Sequence, residues 1–363
     1  MKSRIAIFFY VKGNSKTAKL GGAERRMTRI LNNLGNEYDV HLILKVEKQN
    51  KEIENMFLNI IESCQVKIYQ EEKYYDVFKR VIKEKYDVIL YTDPYLGMIP
   101  FFVAGVVSRA KRIMLNVTTY AAQLTFKSKK QKILFWVVSS LSNQIDTLYP
   151  LGQKNLSIRF PRKSVSLCPC AFTDLSLFYP EEKDKSIIFM ASLIKDKNPL
   201  LFVDAISEIK EYLINNNYKV FLCGSGPLKE DIENRIKIKG CNDIITMTGN
   251  IKPESFFPTA SIFVSIQNYD NYPSQSLLEA ISCGCYIVAT NVGSTRSIVS
   301  SEYGCLTGYD PVEIGKAILA YMNMDDNKKR TIISNARSFA ENNFLIAKSV
   351  NHFKQLINDE IEK

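Results

Sequence analysis

Short apolar runs rich in β-branched residues recur along the chain, most of them followed by a segment of helix length with polar residues on one face. The first series is "RIAIFFYV" (4–11), "YDVHLILKV" (38–46), "CQVKIYQ" (64–70), "YDVILYT" (86–92) and "RIMLNV" (112–117). Amphipathic stretches such as "GAERRMTRILNNLG" and "YYDVFKRVIKEKY" separate most of them. A second series runs "SIIFMAS" (186–192), "KVFLCGS" (219–225), "IITMTGN" (244–250), "ASIFVSI" (260–266) and "CYIVAT" (285–290). Strand–helix alternation of this kind predicts right-handed crossovers and parallel, doubly wound sheets. The fold class is therefore α/β, with two Rossmann-like domains facing each other across a cleft. The expected boundaries are 1–170 for the first domain, 171–185 for a linker and 186–340 for the second domain. A C-terminal helix, 341–363, is free to cross back to the first domain. The linker reading rests on "SLCPCAFTDLSLFYPEEKDK", where prolines give way to a charged run. Ligands of such sheets sit at the carboxyl ends of the strands.

Length agrees with two domains, since 363 residues exceed what one compact core serves well. The eight cysteines are scattered, neither C-x-C pair has zinc-knuckle spacing, and there are only two histidines. A Cys/His metal site is not expected, and the thiols read as reduced and cytoplasmic. "RIAIFFYV" is too short for a secretory leader and lacks a cleavage site. The most apolar run, "LGMIPFFVAGVVS", falls short of the roughly 20 residues that span a bilayer. Charge changes the picture more. Of the net +10, residues 1–180 carry 28 Lys and Arg against 15 Asp and Glu, and the remainder carries 20 against 23. A basic first half suits an anionic surface.

Four stretches could carry chemistry. In "KLGGAERRMTRIL", Gly21 and Gly22 let bare backbone approach a ligand at a helix start, where free N–H groups favour a phosphate; an ordinary loop and helix start explains the pair equally well. The glycines do not form the G-x-G-x-x-G dinucleotide pattern. In "FMASLIKDKNPLLFVDAI", Lys195 and Lys197 precede a helix begun by Pro199 and could neutralise a diphosphate, or simply be solvated. In "FLCGSGPLKEDI", Gly224 and Gly226 end a strand where backbone packs closely or lines a pocket. In "DNYPSQSLLEAISCGC", small polar residues open a helix that carries Glu279 among apolar neighbours. A carboxylate so placed wants hydrogen-bond donors, and ribose hydroxyls are good ones; a surface acid is the other reading.

In this order and spacing the motifs resemble the family-4 (group 1) retaining glycosyltransferases of the GT-B fold, over nearly the whole chain. "GGAE", "CPCAFTDLSLFYP", "KNPLLFVDAI", "CGSGPL", "TGNI" and "DNYPSQSLLEAISCGCYIVATNVGS" fall where that family's motifs should. The resemblance implies transfer of a hexosyl or N-acetylhexosaminyl group from a nucleotide-sugar, with no bound metal and no cofactor, the nucleotide-sugar being a co-substrate. It assigns Glu279 to the donor ribose and Lys197 to the diphosphate, with the Gly21–Gly22 backbone approaching from the other domain. Asn250 would meet the base, Gly224 would line the donor pocket, and Tyr272, Ser274, Gln275 and Ser276 would surround the distal phosphate and sugar. Three departures stand out. The catalytic candidates are Asp270, Asn271 and Glu279: the family's first, sugar-contacting acid, eight positions before Glu279, falls on Asn271, so that acid is either Asp270 on a loop one residue longer or absent. The family's arginine, five positions before the lysine, is Ser192, so Lys195 is left to compensate. Its first-domain histidine has no counterpart, since His41 reads as a core strand residue and His352 as part of the last helix. Thr118, Thr119 and Tyr120 of "LNVTTYAAQ" occupy the acceptor side instead.

The expected acceptor is a saccharide or lipid-linked saccharide of a surface polysaccharide (capsule, O-antigen) or glycolipid. "KSKKQKILFWVVSSL" places lysines before an apolar helix and could dock on an anionic membrane at the inner face of the plasma membrane; a core helix after a solvated loop is the alternative. No nucleic-acid partner is expected, because RNA-binding aromatic motifs are not evident. Two other functions use the same plan: a nucleotide-sugar epimerase, which the scarcity of histidine disfavours, and a non-catalytic sugar-nucleotide-binding protein.

Overall fold

The computed structural model describes residues 2–11, 22–49, 51–58, 66–270 and 272–363. Gly21 and Asn271 of the expected site lie outside the described residues. The chain divides into two compact units, Met1–Phe172 together with Ile346–Lys363, and Thr173–Leu345.

Among the described residues the first unit carries seven strands: β1 (Arg4–Tyr10), β2 (Asp39–Lys45), β3 (Val66–Glu71), β4 (Val88–Thr92), β5 (Lys111–Asn116), β6 (Gln144–Thr147) and β7 (Ser164–Leu167). They pair in parallel in the order β3-β2-β1-β4-β5-β6-β7. The second unit carries β8 (Ser186–Met190), β9 (Lys219–Cys223), β10 (Ile245–Gly249), β11 (Ile262–Ser265), β12 (Tyr286–Thr290) and β13 (Gly304–Thr307). Their order is β10-β9-β8-β11-β12-β13, again all parallel. Central strands are buried on both faces, which is why β1 and β12 read as near-continuous apolar runs. In each sheet the strand order reverses beside the first strand, between β1 and β4 and between β8 and β11. These are the places where a doubly wound sheet opens a crevice at its carboxyl edge.

Three strands were not among the expected ones. β6, β7 and β13 have four residues each, and β6 carries the polar Gln144, Asp146 and Thr147, all buried. Polar groups of β6 find partners on neighbouring strands, as in Thr147 Oγ1 to Asn116 Oδ1 at 2.6 Å and Ser166 Oγ to Asp146 Oδ1 at 2.6 Å, so no apolar pattern advertises this strand.

The expected linker, 171–185, is mostly part of the second unit. Glu181 N–H donates to Pro258 O, Asp184 N–H to Thr259 O, and Lys183 Nζ to Pro258 O at 2.7 Å. The last helix, Ile346–Ile361, belongs to the first unit. It packs on the helix Gly22–Leu34, and its Asn358 Oδ1 accepts from Tyr38 Oη at 2.7 Å. His41 is fully buried in β2, its ring engaged by Tyr86 Oη at 2.8 Å and Asp39 at 3.1 Å. Burial lowers its pKa, so it is a neutral core residue.

Candidate functional site

In the second unit a cavity of about 180 Å³ opens at the carboxyl ends of β8, β9 and β10. Ser192, Gly224, Asn250 and Ser276 line it, together with Ala191 and Ile251. Strand geometry builds its floor. Gly224 follows β9 with φ +134°, and a Cβ there would stand 1.9 Å from the carbonyl oxygen of Ala191. Only glycine allows this approach, and its N–H donates to Gly249 O at 2.8 Å. Ser276 Oγ donates to Met190 O at 3.2 Å, which ties the helix Gln275–Ser282 to the end of β8.

That helix starts at Ser274, whose side chain makes no capping hydrogen bond, and it buries Leu277, Leu278, Ala280 and Ile281. Its positive end therefore keeps first-turn N–H groups that the cap residue does not claim. Glu279 lies three residues after Ser276, on the same face, and is 7% exposed. Its Oε1 accepts from Gln275 Nε2 at 2.8 Å. Tyr272 and Gln275 are half-buried.

Lys197 lies in the tight turn Lys195–Lys197 after β8 and is also half-buried. Its Nζ donates to Gln267 Oε1 at 2.7 Å and sits 5.0 Å above the ring centre of Tyr269. Burial pushes this ammonium down to about 8, against the opposing charge of Asp196. Gln267 is itself locked. Its N–H donates to Thr290 Oγ1 at 3.0 Å, and its carbonyl accepts from Thr290 Oγ1 and Tyr309 Oη, each at 2.8 Å. Lys195 is exposed.

Asp270 is 4% exposed, and its carboxylate accepts from Ser294 N–H at 3.1 Å and Ser294 Oγ at 3.3 Å. It packs on Gly293, which has φ +52° and has no room for a Cβ, since one would lie 2.2 Å from the Asp270 carboxyl carbon. Burial raises the Asp270 pKa, against the bonds from Ser294. This acid thus organises the turn after β12.

In the first unit Thr118, Thr119 and Tyr120 follow β5, at the carboxyl edge of the sheet. Sequence reasoning missed the residue that shapes this loop. Asp93, just past β4 and 4% exposed, accepts from Asn116 Nδ2 at 2.7 Å, Val117 N–H at 2.8 Å and Thr118 N–H at 2.7 Å. Burial raises its pKa to about 6, the hydrogen bonds from Asn116 and Thr118 opposing the rise. An acid at the end of an apolar strand, in "VILYTD", was the signal available. Thr119 Oγ1 donates to Tyr149 Oη at 3.2 Å, and Tyr120 packs edge-on against Phe126.

The chain is similar to known proteins in sequence and in fold. Residues 178–339 match the family described as glycosyl transferases group 1. The chain is 21% identical over 337 residues to GalNAc-alpha-(1->4)-GalNAc-alpha-(1->3)-diNAcBac-PP-undecaprenol alpha-1,4-N-acetyl-D-galactosaminyltransferase of Campylobacter jejuni, covering 88% of this chain and 90% of that one. It is 23% identical over 367 residues to N-acetylgalactosamine-N,N'-diacetylbacillosaminyl-diphospho-undecaprenol 4-alpha-N-acetylgalactosaminyltransferase of the same organism, covering 93% and 95%. Among solved structures, Anabaena HepE in complex with UDP and glucose superposes with a TM-score of 0.77 at 13% identity, over 98% of this chain and all of that one.

Proposed function

We propose, from the match of residues 178–339 to the group 1 glycosyl transferases and from the GT-B fold, that the chain moves an N-acetylhexosamine from a uridine diphosphate sugar to a saccharide carried on a polyprenyl diphosphate. The observation that carries the donor half is the cavity at the ends of β8, β9 and β10, with Lys197 on the turn after β8 and Glu279 one helical turn beyond Ser276. The acceptor half rests on the two Campylobacter relatives, both named as acting on undecaprenyl-diphosphate-linked saccharides.

The donor chemistry follows from these groups. Departure of a nucleoside diphosphate develops negative charge on its distal phosphate, which a pre-placed ammonium and the positive end of a helix stabilise. Lys197 supplies the ammonium and the helix Gln275–Ser282 the dipole. Glu279, held by Gln275, is oriented to accept from ribose hydroxyls. With Ser192 in place of an arginine, phosphate recognition here leans on lysine, a point charge without the bidentate fork. Asp270 is engaged by Ser294, so it acts in this reading by shaping the loop at the sugar end.

A membrane-bound acceptor calls for a surface that meets lipid. The helix Lys129–Leu141 exposes Ile133, Val137 and Leu141 along one stripe, after the exposed Lys127, Lys129, Lys130 and Lys132. Apolar residues at intervals of four beneath a basic cluster suit shallow insertion into an anionic leaflet. Among the described residues no helix is long and apolar enough to cross a membrane.

The test is a thermal-shift screen with UDP-, GDP- and ADP-sugars, followed by detection of nucleoside diphosphate release as the sugar passes to a polyprenyl-linked acceptor. UDP-N-acetylhexosamines are expected to raise the Tm, and Glu279→Gln and Lys197→Ala each to weaken donor binding roughly 10-fold or more. No stabilisation by any nucleotide-sugar would remove the reading, and unchanged affinity in both variants would remove these residue roles.

A further inference from the structure

The first unit holds a cluster of metal-ligating side chains, assembled from three separate stretches, that the donor and acceptor chemistry does not use. Asp146 of β6, Cys168 just beyond β7 and His352 of the last helix bring their ligand atoms within 4.8 Å of one another. Sheet geometry explains why. Asp146 pairs with Ser166 across the β6–β7 ladder, so the two side chains share a face, and Cys168 lies two residues further along that face. Cys168 stays in line because its N–H donates to Thr147 O at 2.8 Å. The last helix supplies His352, whose Nε2 meets Asp146 Oδ1 at 2.8 Å. Asp146 is 3% exposed and Cys168 5%, so both are shielded from solvent.

We propose that Asp146, Cys168 and His352 bind one zinc-class divalent ion, with a water as fourth ligand, and that this ion pins the last helix to the first sheet. The donor set, one thiolate, one imidazole and one carboxylate, is the mixture that zinc accepts in tetrahedral geometry. Bond lengths of about 2.0–2.3 Å put tetrahedral ligand atoms about 3.3–3.6 Å apart, so side-chain rotation closes the cluster without moving backbone. Ion entry exchanges the His352–Asp146 hydrogen bond for two metal bonds; the proton between them leaves Nε2, Nδ1 becoming the protonated ring nitrogen through solvent exchange, and the Cys168 thiol proton leaves to solvent. Space for the fourth ligand exists beside the cluster. A cavity of about 10 Å³, the size of one water, is lined by Arg26, Asp146 and Cys168. Arg26 is 7% exposed, stacks over Phe172 at 5.0 Å, and its Nε is buried with no hydrogen-bond partner among the described residues. A metal-bound water in that cavity gives Arg26 its acceptor. Ser166 Oγ, 2.6 Å from Asp146 Oδ1, is the outer partner that orients the carboxylate.

The experiment uses the full chain stripped with a chelator, dialysed, and titrated with cobalt(II) as a spectroscopic stand-in for zinc. Expected are visible d–d bands of a tetrahedral ion and a thiolate-to-metal charge-transfer band, saturating near one ion per chain and displaced by zinc. Cys168→Ser should abolish the charge-transfer band, His352→Gln should lower affinity at least 10-fold to 100-fold, and Cys305→Ser, in the other unit, should change neither. Absence of the bands in the unaltered chain overturns the proposal, whether or not the variants fold. So does a charge-transfer band that persists in folded Cys168→Ser.

Discussion

An ammonium with a pKa near 8 changes charge within the range where enzymes are assayed, and Lys197 is such a group. A bound diphosphate favours the charged form and so raises that pKa in the complex. Donor affinity is then full below about pH 8 and declines as pH rises through the free-protein value, because binding must take up a proton. Isothermal titration with UDP between pH 7 and 10 should show this decline, and Lys197→Arg, which stays charged, should flatten it. Asp93 gives the opposite limb. Its pKa of about 6 lies above the ordinary carboxylate value, so the group itself favours folding at low pH and loses that contribution as pH rises through 6. The loop it holds needs the ionised form, since Val117 and Thr118 N–H groups donate to it. Transferase activity should therefore fall below about pH 6 while the Tm does not, and Asp93→Asn should be weakly active at every pH. A parallel fall of Tm and activity would show general unfolding instead. Motif spacing marks Lys197, Glu279 and Ser276 in the sequence as candidates. Gln267, Tyr309 and Asp93 were not legible there, because their partners come from distant strands and no local pattern records the pairing.

Strands told the same story at the scale of elements. Runs such as "RIAIFFYV" and "CYIVAT" declare themselves because parallel strands covered on both faces need apolar residues throughout. β6 hides its identity in bonded polar groups, and β7 and β13 are too short to show a period. The helix Lys129–Leu141 was legible as an apolar helix behind a run of lysines but ambiguous in purpose, and its packing shows which side chains it buries. Phe135 and Val138 are buried and Trp136 packs against Phe126 and Phe160, whereas Ile133, Val137 and Leu141 face outward. Co-sedimentation with anionic vesicles at low salt should capture the chain, and high salt should release a large part of it. Ile133→Gln with Val137→Gln should reduce capture several-fold without lowering the Tm, since both side chains are already exposed. Equal capture of the double variant would remove this helix from the membrane contact.

For the molecule as a whole, the charge asymmetry and the two-unit plan were visible from sequence, while the true boundaries were not. The linker stretch reads as a spacer by composition, yet Lys183 and its neighbours bond into the second unit. The last helix carries no mark of which sheet it serves. Its assignment depends on Asn358 meeting Tyr38 and His352 meeting Asp146, both far away in sequence.

That return has a consequence for how the protein is made. The second unit is, in chain order, an insertion within the first, since Ile346–Lys363 completes a body begun at the N-terminus. During synthesis the ribosome releases the second unit's strands before the first unit owns its last helix, so the N-terminal sheet must wait with one apolar flank uncovered. Val350, Phe353, Leu356 and Ile357, all buried in the finished chain, are what it waits for. Expressed separately, residues 173–345 should fold cooperatively by circular dichroism and thermal melting. Residues 1–172 should aggregate or melt early, and adding a peptide of residues 346–363 should rescue them. A stable, cooperatively melting 1–172 fragment would show that the sheet does not depend on its closing helix.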